Sequence, residues 1–370
     1  MLTFTATYGI AKDADFTVDG FSYAITSTTD LTVEVANGPN EAVVTVPSTV
    51  EYSNITYRVT GIGSEAFCNH KKLTSVDMPS ITYISNGFAR YSNSEGTTWY
   101  GAFYGCKKLS QANMPAATSI GDLAFESCDA LTSVSLPVAT SIGVRAFSGC
   151  DALTSVSLPA ATSIGYQAFS LCSALTSASL PVATSIGYEA FRGCKALTSV
   201  TMPVATSIGE RAFLYCDALT SVSLPAATSI GESAFSGCQS LSDIYVGSDP
   251  ADCYGSTFDK VTYVTATLHV PAGCASKYKA ADYWKQFNFI SEDYDPTGIK
   301  NTNAENVKVL CENGNVNITG LKNGMKVEFY SVNGQLLGAS VANAGAVSFK
   351  TSEHIVICKM AGTSIKVLVK

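Results

Sequence analysis

The stretch TSIGVRAFSGCDALTSVSLPAA, residues 140–161, returns almost unchanged in the 22 residues that follow it and in blocks on either side. Three columns fix the frame. Phe103, Phe125, Phe147, Phe169, Phe191, Phe213 and Phe235 stand 22 apart, and Cys106, Cys128, Cys150, Cys172, Cys194, Cys216 and Cys238 keep step with them. Leu109, Leu131, Leu153, Leu175, Leu197, Leu219 and Leu241 make the third column. A fixed period of this size marks a repeat architecture and takes precedence over local secondary-structure guesses. Phe67 and Leu73 join the frame if 14 extra residues are placed within SNGFARYSNSEGTTWYGAF; Cys68 then falls out of register and His70 takes the column place. Downstream, STFDKVTYVTATLHVP reads as a degraded ninth copy, with Phe258 in the Phe column and Val261 in the Cys column.

Within a copy, LTSVSLP alternates: Val134 and Leu136 face one way, Ser133 and Ser135 the other, as in a half-buried strand. Pro137 ends it, where a missing N–H is tolerated. ATSIG offers a second short extended piece around Ile142, and the residues leading to each Cys suit a single helical turn. So short a unit cannot bury Leu131, Val134, Leu136, Ile142, Ala146, Phe147 and Cys150 alone, so stacking of neighbours is obligatory. The expected fold is mainly β: a solenoid of eight or nine coils with short parallel strands, spaced by about 4.8 Å and roughly 40 Å long.

Composition narrows the function. Charged residues are only 14% of the 370, the net charge is -7 and no run of Lys or Arg occurs, so the footprint of a nucleic-acid binder is missing. No segment approaches the roughly 18 apolar residues of a membrane span. The opening MLTFTATYGIAKDAD lacks the charged start and apolar run of a signal peptide, which leaves a cytosolic chain or one whose leader is not in the sequence.

The units SIGxxAFxxCxALTSVSLP resemble the BspA-like leucine-rich repeats of Bacteroidetes and related host-associated microbes across residues 58–246, with an insertion near 86–100. Residues 1–57, through DFTVDGFSYAITSTTDLTVEV and VVTVPSTVEYSNITYRVTGIG, resemble the β-hairpin segment that opens such solenoids. Residues 247–291, a degraded last repeat and TLHVPAGCASKYKAADYWKQFNFI, resemble their closing segment. A polar Pro/Gly/Asn linker at 292–305 leads to residues 306–370, where alternating stretches and the turn signals Asn313-Gly314, Asn323-Gly324 and Asn333-Gly334 read as an Ig-like β-sandwich. VEFYSVNGQLLG and IKVLVK there are similar to type IX secretion sorting domains, although Glu353-His354-Ile355 replaces their Gly-Val-Tyr-like element. The resemblance implies a secreted or cell-surface protein whose leader is absent from the sequence given. It also implies adhesion to host matrix or other surface proteins, and we expect a monomer.

The repeated cysteine reads as packing: a small, easily buried side chain at one inward position per coil. Stacked parallel side chains rarely meet disulfide torsions, and seven cannot pair completely. Cys253 with Cys274, or Cys311 with Cys358, remain as cross-links open to an exported protein. No zinc-ligand spacing occurs, and His70 falls in a ladder column, His269 in a terminal strand and His354 in the last domain, so no two are expected to share a site. No nucleophile elbow, HExxH or phosphate loop is present, and Asp129, Asp151 and Asp217 are repeat-position residues opening a surface turn. We expect no catalytic, metal or cofactor residues, and no enzyme.

Recognition on a solenoid falls to variable columns and insertions. The strand face is monotonous, with Ser133, Ser155, Ser177, Ser199 and Ser221 in one column and Ser135, Ser157, Ser179, Thr201 and Ser223 in the next. Such a face is flat and hydroxyl-lined, suited to weak hydrogen bonding over a long stretch but to no sharp pocket; a repetitive solid such as ice or a polysaccharide is a further alternative, against which Ser rather than Thr in those columns speaks. The turn after each Ile-Gly varies more, and contributes Tyr166, Tyr188 and Arg211, with Tyr104, Arg192 and Tyr215 near the same edge. Interfaces favour such Tyr and Arg groupings. The insertion adds Phe88, Arg90, Tyr91, Trp99 and Tyr100, which coil geometry does not require. These eleven residues are the candidate contacts for an extracellular protein or glycan; the alternatives are a structural spacer of the cell envelope with no specific ligand, and a hydrolase hidden in a loop.

Overall fold

The computed structural model describes residues 13–92, 96–294, 308–312, 315–319, 321, 323–330, 336–344, 346–351, 355–360 and 363–368. The chain divides into two units, Met1–His269 with Ser276–Ile290, and Val270–Ala275 with Ser291–Lys370.

The first unit is a parallel-strand solenoid. Each coil supplies two very short strands. One series runs through Tyr83–Ile84, Ser119–Ile120, Ser141–Ile142, Ser163–Ile164, Ser185–Ile186, Ser207–Ile208 and Ser229–Ile230, paired in parallel so that each isoleucine lies beside the next. The other holds the serine columns, as in Ser155–Ser157, Ser177–Ser179 and Ser199–Thr201. The 22-residue repeat therefore becomes register: like touches like along the stack.

Two corrections concern the local geometry. The segment before each cysteine is a succession of turns and not a helical turn, because alternate N–H groups bond outward to the next coil, as Phe147 N to Ala168 O (2.8 Å) and Phe169 N to Ala190 O (2.8 Å), while those between close single turns such as Ser148 N to Arg145 O (3.1 Å). Val261 does not take the Cys column either. The helix Lys260–Thr265 replaces the turn there, burying Thr262 and Tyr263 and leaving Val261 exposed.

The core is a set of ladders. Nine phenylalanines from Phe67 to Phe258 stack with centroids 4.8–5.3 Å apart and planes within 9°. Both ends are covered. At the first, Gly38 lies so close to the Phe67 ring that a Cβ would sit 2.0 Å from it, and Gly38 N bonds Ala66 O. At the last, Tyr263, Trp284 and Phe287 meet Phe258 edge-on. Antiparallel strands Phe16–Val18, Phe21–Ser27 and Thr32–Asn37 precede the first coil, and Thr32–Asn37 passes the sheet to Ile55–Ile62 in parallel. Threonine hydroxyls add rungs of their own, for example Thr184 Oγ1 to Thr162 O (3.2 Å) and Thr198 Oγ1 to Thr176 O (3.0 Å).

The cysteines do more than fill space. Each ladder thiol donates to the carbonyl of the phenylalanine one coil back, as Cys128 Sγ to Phe103 O (3.2 Å) and Cys194 Sγ to Phe169 O (3.1 Å). All seven are buried and unbridged, and burial pushes the Cys172 thiol up to about 12. A thiolate is the reactive form, so these groups are inert. Iodoacetamide at pH 8 is expected to leave all seven unmodified in the native protein and to alkylate them in denaturant; mass spectrometry that finds native labelling at the rate of an open thiol contradicts the enclosure. Cys253 and Cys274 are not joined to each other. The side chain of Cys311 lies outside the described residues, as do Glu353, His354, most of the 292–305 stretch and the turns at 313–314 and 333–334.

A second regularity appears two residues after each phenylalanine from Phe67 to Phe235, where the backbone is left-handed. The occupants alternate: Asn69, Gly105, Ser127, Gly149, Leu171, Gly193, Tyr215, Gly237. Side chains in one coil lean over the glycine of the next, so that a Cβ on Gly193 would lie 3.0 Å from Leu171 Cδ2 and one on Gly237 2.3 Å from Tyr215 Cδ1.

In the second unit, Lys308–Glu312, Asn315–Thr319 and Ala346–Lys350 form one antiparallel sheet. Leu336–Val341, Lys326–Tyr330, Ile355–Met360 and Thr363–Leu368 form another. One core joins them, with Val316, Ile318 and Val347 from the first against Val327, Phe329 and Val356 from the second.

Candidate functional site

After each Ile-Gly pair from Ile120-Gly121 onward the chain turns through a second left-handed residue: Leu123, Arg145, Gln167, Glu189, Arg211 and Ser233 have φ of 51–62°. That conformation is costly for a side chain other than glycine, and it swings these residues toward the solenoid edge. Because the coils are one strand spacing apart, the edge residues of neighbours touch. Tyr166 and Tyr188 stack 4.9 Å apart with planes 4° from parallel. Arg211 Nη1 donates to Tyr188 Oη (2.6 Å) and its guanidinium stands 5.8 Å from that ring's centre. Gln167 Nε2 donates to Glu189 Oε2 (2.7 Å), and Arg192 Nε lies 3.8 Å from the same oxygen. Arg211 also pairs with Glu210 at 3.2 Å. Burial, then the Glu189 carboxylate, raises the Tyr166 phenol, while Arg145 and Arg211 act on it from either side. The edge is therefore one electrostatically connected strip.

The insertion is a β-hairpin, Phe88–Ser92 against Gly96–Tyr100, with Phe88 opposite Tyr100. Its root is fixed to the coil: Gly87 N bonds Asp122 O (2.7 Å), and a Cβ on Gly101 would fall 2.0 Å from Leu123 O. Trp99, 36% exposed, lies beneath Arg145, whose Cζ is 4.8 Å from the ring centre. Arg145 is in turn ion-paired with Glu126, 5% exposed, whose carboxyl burial pushes up to about 7 against the pull of Arg145.

The eleven sequence candidates divide unequally. Tyr166, Tyr188, Arg192 and Arg211 come together in the strip; Tyr104 is half-buried and senses Glu126 and Arg145. Trp99 reaches the strip through Arg145, and Tyr215 stands exposed further along the solenoid. Phe88 turns inward, buried and stacked on Tyr100 at 5.2 Å, so it offers no surface. The side chains of Arg90 and Tyr91 lie outside the described residues. Glu126 is the residue that sequence reasoning missed, and Arg145, one of the varied residues of the turn after Ile142-Gly143, was not singled out as a contact. Their signal was an arginine and a glutamate in columns that are complementary only when one coil is laid on the next.

Chemically the strip presents guanidinium donors, carboxylates and aromatic rings, of which Tyr166 and Tyr188 cover one face of each other and Arg145 covers one face of Trp99. Among the described residues no three His, Cys, Asp or Glu side chains gather as a metal-binding group, and no helix is long and apolar enough to cross a membrane.

Stacked parallel coils with an inward leucine and a short strand per repeat define a leucine-rich-repeat solenoid. The BspA type leucine rich repeat region matches in six copies over residues 47–99, 97–205 and 184–277, and the chain belongs to that family. Similar solved structures include a leucine-rich repeat protein from Bacteroides ovatus, 23% identical with 69% of this chain and 84% of that one covered and a TM-score of 0.42. Another is a leucine rich cell surface protein from Faecalibacterium prausnitzii, 22% identical, covering 75% and 94%, with a TM-score of 0.41. No curated protein matches the chain.

Proposed function

We propose that the protein is a non-enzymatic, secreted or surface-displayed binder that grips an extracellular protein or glycan along the Tyr/Arg edge strip and the Trp99 side of the hairpin. The observation that supports this most is the Arg145 bridge. It joins an insertion that coil stacking does not need to an edge that varies from coil to coil, making one aromatic and cationic surface. Aromatic and arginine side chains carry a disproportionate share of binding energy at such surfaces. The family and the similar surface protein agree with display outside the cell, and the two-sheet final unit serves in this reading as a sandwich-like sorting or attachment segment.

One observation favours a stalk with no specific ligand: Tyr166 and Tyr188 cover each other's faces, as expected of a strip that merely stiffens an edge. A binding screen of the intact chain against extracellular matrix proteins and glycans separates the two. With a ligand in hand, removal of residues 86–99, and separately Tyr188→Ala with Arg211→Ala, is expected to weaken binding by about tenfold or more each. Unchanged binding in both clears the strip and hairpin of the role, and no ligand in the screen leaves the stalk.

A further inference from the structure

Glu126 is the most deeply buried carboxylate on the edge strip. One of its oxygens pairs with Arg145; the other, Oε2, is buried and has no hydrogen-bond partner among the described residues, as is true of Arg145 Nε. A structural ion pair normally fills these positions, so this one is held at a cost. Its geometry also has an outlet, because the Arg145 guanidinium that the carboxylate holds is the group covering Trp99.

We propose that Glu126, Arg145 and Trp99 form a proton-operated latch: the Glu126 carboxylate pins Arg145 over Trp99 and so fixes the hairpin to the solenoid edge, and protonation of Glu126 releases it. The neighbours of Glu126 leave it as the group that switches. Arg145 approaches from the following coil. Tyr104, from the preceding coil, is a phenol raised by burial, with Lys107 and the burial-raised Cys68 thiol acting on it in turn. Lys107 is itself paired with Asp129 at 3.3 Å. From the hairpin, the described side chains Phe88 and Trp99 carry no ionisable group. Burial, opposed by Arg145, holds the Glu126 carboxyl at about 7, so it changes state close to neutrality.

Linkage separates this from acid unfolding. The folded-state value of Glu126 lies above the ordinary carboxylate value of about 4.3, so the native chain holds the proton more tightly than the unfolded one. Its contribution to stability is then largest at low pH and falls as pH rises through the window from about 4.3 to 7. Acidifying from 8 to 6 therefore loosens the latch while favouring the fold.

The test is the emission of Trp99 in the full chain, taken as the difference between wild type and Trp99→Phe so that Trp284 cancels. Between pH 8.5 and 5.5 the difference spectrum is expected to shift in one step near pH 7, with acrylamide quenching of Trp99 rising about twofold on the acid side and the melting temperature not falling. Glu126→Gln is expected to give the loosened spectrum at every pH. Arg145→Gln is expected to do the same, and serves if the first variant does not fold. A wild-type Trp99 signal that is flat across this range overturns the latch. So does the same step persisting in Glu126→Gln or Arg145→Gln, because His70 or another group then carries it.

Discussion

Phe169→Ala is expected to cost about 4 kcal/mol, the range for deleting a fully buried aromatic side chain, and more than any single substitution on the strip. The ring is fully buried and has two stacked neighbours, Phe147 and Phe191, each with its centre 5.3 Å away. Each aromatic pair is worth about 1 kcal/mol beyond the area it buries. The hole opens in the middle of a linear array in which stability is the sum of coil and interface contributions. Equilibrium denaturation should therefore show two effects, a lowered midpoint and a transition that broadens or splits as the halves on either side lose their coupling. A loss under about 1 kcal/mol, with the transition still single, means that the solenoid collapses around the gap and that the phenylalanine ladder is not its mechanical centre.

Gly187→Ala is the second large expected effect, and it comes from space and not from conformation. A Cβ there would lie 2.7 Å from Ile164 O and 2.8 Å from the carbon and oxygen of Gly165, all backbone atoms of the preceding coil. Those atoms are held by the Gly187 N to Ile164 O bond at 2.9 Å, so the only escape is to pull the coils apart along the sheet. Overpacking of this kind costs about 1–3 kcal/mol where side chains can yield, and fixed backbone puts this case at or above the upper end. Gly149→Ala is the control. Its φ is +69°, but the nearest atom to a new Cβ is Ser127 Oγ at 3.7 Å, so only the left-handed conformation is taxed, at about 1 kcal/mol. Equal losses for the two, measured by chemical denaturation, refute the close-approach account.

How much of this was readable beforehand depends on the range of the interaction. The period put Phe147 above Phe125 and below Phe169, and the alternation in LTSVSLP placed the serines outside, because both follow from one coil copied onto another. Pairings between different columns were not readable. Glu126 and Arg145 sit 19 residues apart and meet only because the turn after Gly143 is left-handed, a fact no residue type there announces. The same holds for the thiol bonds: the cysteine column was evident, but its acceptor is a backbone carbonyl, which sequence never displays. Val261 misled because its apolar character matched the column while the chain had already turned into a helix. Phe88 misled for the opposite reason, since an aromatic in an insertion looks available until its partner, Tyr100, is seen across the hairpin.

The alternation of glycine with larger residues at the left-handed position two residues after each phenylalanine sets a rule for how this chain can change length. A coil bearing Leu171 or Tyr215 must be followed by one bearing glycine, because the overhanging side chain takes the volume that a Cβ would need. Duplicating or excising one coil would set two overhangs against each other or leave two bare glycines in succession, whereas adding or losing a pair, 44 residues, preserves the order. The structural module is thus the couple and not the single turn, and an engineer who wants a longer or shorter protein should cut in couples.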